Sequence, residues 1–447
     1  MKRATTIADI PNAFPPTPLA NEELEQFYDA DTMFVRTGDR NDSPIDDIHD
    51  HCTDPSKSME RAVLLFGHRG CGKSTELNKM KQNLTEEGYQ VRIIDCWTVL
   101  DMFNMNYTDI LILLGDALLD IANKIKCRLP EEMIKKIEDF WRASGVKTIV
   151  DNLDRSLGAS GGISLATPPS LLQGLLGFFF DVKADLKQSS TTSVEYKRQI
   201  ERSLPEWNRI IRDLADTIAG KLDGRQPIII FEGLDKLDSV SPDKAWDLFY
   251  VHGGQLSSYS FPIVYTFPIA LSYDPRFHAV ESYFGYFIMP MIKLHLIDGR
   301  ECTEGKQTLR KIVEMRADPA LFAGKSLDLA IQKTGGCLRD LFNVIRSAGT
   351  FARRGKKDQI DEDMVRRALE KNKSDISRRI EGKQHEFLVE IYNGMHMEIQ
   401  DKPMLLQMMQ ANAVLEYNGK RWHDVHPLIA DYLVDDLHMT ERRPYDR

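Results

Sequence analysis

The sequence predicts an α/β fold. A parallel sheet carries helices on both faces, and an all-helical segment and a small helix–helix–hairpin module follow it. Three observations predict this. A glycine-rich stretch at 67–74 sits between a strand-like apolar run and a helix-like run. A second apolar run, 228–231, ends in acids. Around these two, apolar strand runs alternate with amphipathic helix patterns, as β-α-β crossover units do.

The glycine-rich stretch is Gly67-His68-Arg69-Gly70-Cys71-Gly72-Lys73-Ser74, preceded by Val63-Leu64-Leu65-Phe66 and followed by Thr75. Its spacing, G-x-x-x-x-G-K-S, is a complete phosphate-binding loop. Four apolar residues suit a buried parallel strand, and Leu77, Met80 and Leu84 recur at helical spacing after it. Glycines let backbone N–H groups turn inward, and the helix N-terminus adds partial positive charge. Residues 67–75 are therefore the candidate phosphate contacts. Lys73 is placed to reach the β/γ-phosphates, and the Ser74 hydroxyl to ligate Mg²⁺. A nucleoside triphosphate with Mg²⁺ is the expected ligand.

The chain has 447 residues, enough for two or three domains. Its net charge of −9 gives no global basic field to draw it onto nucleic acid or anionic lipid. The six cysteines form no CxxC pair, which argues against a zinc module or a disulfide framework. The first 18 residues lack an apolar signal core, and no run of about 18 apolar residues predicts a membrane span. A cytoplasmic location is expected.

Residues 1–24, with four prolines, read as an extended N-terminal arm, and Asn21–Gln26 as a capped helical turn. Phe34 and Val35 precede the first strand, where they are placed either against a nucleotide base or in the core. A strand over Gln90–Trp97 and a helix over Thr108–Lys126 follow. Residues 127–195 interrupt the rhythm with a mixed-charge helix, a glycine–serine segment at 156–164 and an apolar block, Leu171–Phe180. That block suits a partner or membrane surface, or packing back on its own domain. Glu195–Leu222 reads as a helix that Pro205 kinks or splits.

The second chemical motif is Pro227-Ile228-Ile229-Ile230-Phe231-Glu232-Gly233-Leu234-Asp235-Lys236-Leu237-Asp238. In doubly wound sheets the strand C-terminal edge is where ligands bind. Glu232 there is a candidate for holding Mg²⁺, and Asp235 for polarising the attacking water. A strand within Tyr259–Leu271 brings Thr266 to its end, in the position of a γ-phosphate sensor or of a plain strand-end threonine. Tyr283–Leu296 is the last strand. About five strands result, as an additional-strand P-loop core requires. This core spans 25–300 and includes the 127–195 insertion.

Residues 301–378 read as a helical lid, in which Gly335-Gly336-Cys337-Leu338-Arg339-Asp340-Leu341 opens a helix. The window 339–383 holds 13 Lys/Arg against 8 Asp/Glu, a net of +5. It suits a phosphate backbone, an acidic neighbour or a solvated face. Residues 379–447 outline a winged-helix-like domain, with a turn signal at Asn418-Gly419. The helix that would enter a major groove, Pro403–Gln410, carries no charge, which favours packing against protein.

These blocks together resemble an additional-strand P-loop ATPase of the AAA+/STAND kind, in the branch of the Orc/Cdc6 initiators and NACHT-like signalling ATPases. The P-loop, the FEGLDKLD block, Tyr265-Thr266 and the GGCLRDL block carry the resemblance. It implies Lys73 and Ser74 as phosphate and Mg²⁺ ligands, Glu232 and Asp235 as the two acids, and Arg339 as a lid arginine reaching the γ-phosphate. Glu232 departs from the usual Asp, and Lys236 stands where an acid is common. Arg276 occupies the region of an arginine finger, which only an oligomer would use. The implied function is an ATP-driven switch that assembles into a homo-oligomer and acts with a separate effector or regulatory protein, as in bacterial signalling or antiviral defence. The alternatives are a DNA-binding, initiator- or transposition-like ATPase and a slowly hydrolysing nucleotide-binding scaffold.

Overall fold

The computed structural model describes residues 1–32, 43–54, 62–158, 171–394, 397, 399–417 and 422–443. Phe34 and Val35, most of the glycine–serine segment and the Asn418-Gly419 turn lie outside them. Five strands make the central sheet: β1 (Ala62–Gly67), β2 (Val91–Asp95), β3 (Ile228–Glu232), β4 (Ile263–Thr266) and β5 (Gly285–Met289). All pair in parallel, in the order β2-β3-β4-β1-β5. One strand, β4, therefore stands between the phosphate-loop strand β1 and the acid-ended strand β3, which is the expected additional-strand arrangement. A small antiparallel hairpin, β6 (Val414–Tyr417) and β7 (Trp422–Val425), lies near the C-terminus.

The principal helices are α1 (Pro44–Thr53), α2 (Lys73–Glu86), α3 (Tyr107–Lys124), α4 (Glu131–Arg142), α5 (Lys147–Ser156), α6 (Leu171–Gln188), α7 (Thr191–Arg202) and α8 (Leu204–Lys221). After the sheet come α9 (Thr303–Arg316), α10 (Ser326–Lys333), α11 (Leu338–Arg354), α12 (Glu362–Ser377), α13 (Gly382–Tyr392), α14 (Lys402–Gln410) and α15 (Pro427–Asp431). Apolar residues on alternate sides of the strands feed two separate cores. Leu64, Phe66, Phe231 and Tyr265 join one, and Val63, Leu65, Ile230 and Val264 the other. This is how a sheet buried on both faces is stabilised.

Several strand lengths shrink against expectation, for local reasons. β4 is bounded by Pro262 and Pro268 and β5 by Pro290, residues that cannot donate to a ladder. The helix expected over 195–222 is split at Ser203, with Pro205 in the first turn of α8. Asn21 offers no side-chain cap to the helix at Glu22–Phe27.

One larger reading changes and another is decided. The N-terminal arm is not extended: it forms helical turns at Ile7–Asp9 and Ile10–Ala13, and Ile10 and Phe14 are buried. Pro11 is accommodated because it falls in a helix's first turn. The segment is tied down by Ala4, whose N–H donates to Arg316 O and whose carbonyl accepts from Asp318 N. The apolar block 171–180, among its expected readings, packs back on its own domain as the start of α6. Leu175, Phe178, Phe179, Val182 and Leu186 fall on one face and are buried. Phe178 and Phe179 lie 5.6 Å and 6.2 Å from Trp141. Phe180 points away and is 69 % exposed. All six cysteines are buried, and none is in a disulfide. Among the described residues no helix is long and apolar enough to cross a membrane.

Candidate functional site

The loop at 67–74 joins β1 to α2 with Gly67, Gly70 and Gly72 at positive φ. Gly70 (φ +87°) is required twice over. A Cβ there would come 2.6 Å from Arg339 Cβ and 2.9 Å from Cys337 Sγ. The N-terminus of α11 therefore rests directly on the phosphate loop. The Arg339 N–H donates to Gly70 O at 3.3 Å, and Cys337 Sγ lies 3.7 Å from Arg69 O.

The loop lysine is folded back. Lys73 Nζ donates to Gly67 O at 2.7 Å and His68 O at 3.1 Å, and pairs with Asp235 Oδ2 at 2.8 Å. Both partners are buried. Burial opposes each charge, but the pairing wins, holding Lys73 above and Asp235 below their ordinary ranges. Ser74 donates its hydroxyl to Glu232 Oε1. Glu232 has the opposite fate. Burial, then the Asp235 and Asp95 charges, push its carboxyl up to about 7. A Ser hydroxyl beside an under-neutralised carboxylate is a donor set that fits a hard divalent cation such as Mg²⁺.

Thr266 does not line the cavity described next. Its Oγ1 accepts from Leu234 N at 3.1 Å and Asp235 N at 3.3 Å, so it fixes the turn that carries Asp235. Arg276 lies apart from the phosphate loop's cavity as well: it pairs with Asp274 at 2.8 Å and stacks 4.4 Å over Trp246. Arg69 pairs with Asp238.

Lys73, Ser74, Thr75, Glu232, Asp235 and Arg339 open onto one cavity of about 140 Å³. Its other walls were not identified from sequence. Pro15 to Leu19, Phe27, Tyr28 and Asp29 come from the N-terminal segment, and Ile312, Arg316, Phe342 and Asn343 from α9 and α11. The segment is held in place by Leu19 N donating to Thr75 Oγ1 (3.2 Å), Asn78 Nδ2 donating to Leu19 O (2.8 Å) and Tyr28 OH donating to Glu76 Oε2 (2.7 Å). Arg316 left one legible signal: it falls on the apolar stripe of Leu309, Ile312 and Val313.

His68 and Cys71 face away from that cavity. His68 Nε2 accepts the Glu416 N–H of β6 at 2.8 Å. The phosphate loop thus touches the C-terminal hairpin, which is also anchored by Tyr417 OH donating to Gly335 O at 2.9 Å. α14 turns Leu405, Met408 and Met409 inward, as the uncharged stretch Pro403–Gln410 predicts.

No protein-family model matches the chain, and neither does any curated protein. Solved structures do resemble it in fold. A Walker-type ATPase of Pyrococcus abyssi aligns over 94% of this chain and 99% of its own, at 14% identity and a TM-score of 0.44. The ORC2 protein of Aeropyrum pernix, solved as ADPNP–ADP complexes, aligns over 89% and 94% at 12% identity and 0.37. The ORC1 protein of the same organism, solved with DNA, aligns over 97% of each chain at 12% identity and 0.36. At these distances the likeness is one of overall arrangement, and no residue role is transferred from it.

Proposed function

We propose that this protein is a nucleotide-dependent switch that binds ATP with Mg²⁺, hydrolyses it, and through its nucleotide state controls assembly or the engagement of a separate effector or regulatory protein. The observation that carries the reading is the Lys73–Asp235 ion pair. A phosphate reaching the loop needs the same ammonium that Asp235 holds. The two partners exclude each other, so occupancy and the position of the β3 acids are linked, which is what a two-state device needs.

In this reading the loop N–H groups of residues 67–75 and Lys73 bind the phosphates, and Ser74 and Glu232 hold Mg²⁺, which neutralises phosphate charge when bound. Once displaced from Lys73, Asp235 is free to orient and polarise a water, in a turn fixed by Thr266. Arg339, carried by the helix that touches Gly70, brings positive charge to the γ-phosphate from the lid. The domain limits keep their sequence reading: a core to about 300, a lid over 301–378 and a winged-helix-like module over 379–447. Contact of His68 with β6 supports an inhibitory role for that module in the closed state. The test is ATP-dependent mass by light scattering. Wild type assembles and Lys73→Ala does not; assembly unchanged in the variant would sink the switch.

A DNA-bound ATPase is the second reading. One observation favours it: Arg353, Arg354, Lys356 and Lys357 are exposed together where α11 ends, with Arg366 and Arg367 exposed on α12. Reversing the first four charges would then weaken duplex binding and flatten its salt dependence. Steady-state turnover with and without duplex DNA separates the two readings: stimulation of several-fold supports the second, and indifference the first.

A further inference from the structure

Arg316 is a guanidinium without an anion. It is 5 % exposed, yet among the described residues it has no carboxylate at ion-pair distance. Its guanidinium makes one hydrogen bond, from Nη1 to Ile312 O at 2.8 Å. The acid whose charge acts on it, Glu23, is itself bound to the Met1 ammonium at 2.6 Å. Burial pushes Arg316 down to about 10, so it stays charged at neutral pH. A buried arginine with spare donors is expensive unless something accepts from it. The residue lines the cavity described above, and its plane is set by stacking 5.0 Å from the Phe342 ring.

Its place in that cavity says what could accept. The charged groups that suit polyphosphate and cation, Lys73, Ser74, Glu232 and Asp235, come from the phosphate loop and β3. Arg316 instead stacks on Phe342, and Pro15, Pro16, Phe27 and Ile312 add apolar wall to the same cavity, beside the polar Asp29 and Asn343, a lining that suits a flat ring. A ring seated there needs a partner for its polar edge.

We propose that Arg316 reads the base of the bound nucleotide, and that the pocket takes guanine nucleotides at least as tightly as adenine nucleotides. This rests on the nucleotide reading above and refines its ligand. The guanidinium fork matches two adjacent acceptors, and guanine offers O6 beside N7. Adenine places an amino donor where O6 stands, so the fork keeps one acceptor and faces a donor. Asn343, which also lines the cavity, can serve either base.

The test is direct binding of GTP, 7-deaza-GTP and ATP to wild type, Arg316→Met and Lys73→Ala. Wild type is expected to bind GTP no more weakly than ATP, and 7-deaza-GTP about tenfold more weakly than GTP. Arg316→Met should lose about tenfold for GTP, change less than threefold for ATP, and no longer distinguish GTP from 7-deaza-GTP. Equal losses for GTP and ATP in Arg316→Met, or a tenfold wild-type preference for ATP, would overturn the proposal while leaving nucleotide binding intact. Lys73→Ala should weaken all three alike; binding of none of them by wild type would instead overturn the nucleotide reading itself, and this inference with it. If Arg316→Met does not fold, the three wild-type affinities still decide the matter.

Discussion

Lys73 Nζ stands 2.8 Å from Asp235 Oδ2, with 6 % and 7 % of the two side chains exposed. A phosphate must break that bond before Lys73 can serve it. Replacing Asp235 by Asn removes the competing charge and leaves Lys73 buried without a counter-ion. Breaking a buried pair from one side costs about 3–5 kcal/mol of stability. Nucleotide would restore part of that loss. The expected result is a lower melting temperature without ligand, a larger ATP-induced rise, ATP affinity increased up to about tenfold (roughly 1.4 kcal/mol) and turnover sharply reduced. Calorimetry and steady-state kinetics check each part. Weakened ATP binding in Asp235→Asn would refute the competition.

Gly70 makes the second prediction. At φ +87° an alanine is strained by about 1–2 kcal/mol. Its Cβ would also meet Arg339 Cβ at 2.6 Å, a contact that only movement of α11 relieves. Gly70→Ala should therefore fold but carry Arg339 away from the cavity, mimicking Arg339→Ala. A matched loss of about tenfold in ATP affinity is expected for both variants, and little further loss in the double variant. Losses that simply add would mean that the helix does not sense the loop.

His68 should set an acid limit to stability. Burial first, and the Lys73 charge second, lower its imidazole from 6.5 to about 3. The unfolded chain takes up that proton below pH 6.5 and the native protein does not. The stability involved is therefore complete above pH 6.5 and is lost as pH falls toward 3. At pH 5 the loss is about 2 kcal/mol, from a slope approaching 1.36 kcal/mol per unit. His68→Gln keeps an acceptor for the Glu416 N–H and removes the titration. Denaturant melts at pH 7 and pH 5 should show wild type losing about that much more than the variant. Parallel losses would mean that other groups dominate.

How much of this could be read in the sequence depends on what kind of constraint each residue answers to. Gly67–Ser74 and Glu232–Asp235 were legible because backbone geometry and phosphate chemistry demand those residue types at that spacing, whatever surrounds them. The parallel strands were legible as apolar runs alternating with helix patterns. Residues 15–29 were not legible as cavity walls. Their prolines look extended, and it takes contacts distant in sequence, among them Ile10 and Phe14 packing against α11 some 330 residues away, to fold them onto the site. Thr266 was ambiguous for a similar reason: a strand-end hydroxyl reaches either a phosphate or the neighbouring turn, and the choice depends on a register that sequence does not carry. Arg316 was detectable as a cation on an apolar stripe, but such a residue gains meaning only when no acid is found beside it.

The last prediction concerns the link between the phosphate loop and the C-terminal hairpin. The Glu416 amide donates to His68, and its carboxylate Oε2 accepts from Tyr273 OH at 2.7 Å. The same hydroxyl lies 2.8 Å from His423 Nε2. Tyr273 follows β4 and so belongs to the core, whereas Glu416 and His423 face each other across β6 and β7. Tyr273→Phe removes the hydroxyl that ties hairpin to core, and with it one hydrogen bond at the Glu416 carboxylate and one contact at the His423 imidazole. That should cost about 1–3 kcal/mol. If the hairpin is released when nucleotide occupies the loop, the loss falls on the closed, ligand-free state alone. Hydrogen exchange at 414–417 and 422–425 should then quicken in ligand-free Tyr273→Phe toward the rate that ATP produces in wild type, and ATP should add little more. Exchange that quickens equally with and without ATP would make the tyrosine a structural strut only. Unchanged exchange would mean that the hairpin is held by Tyr417 and Gly335 regardless of the loop.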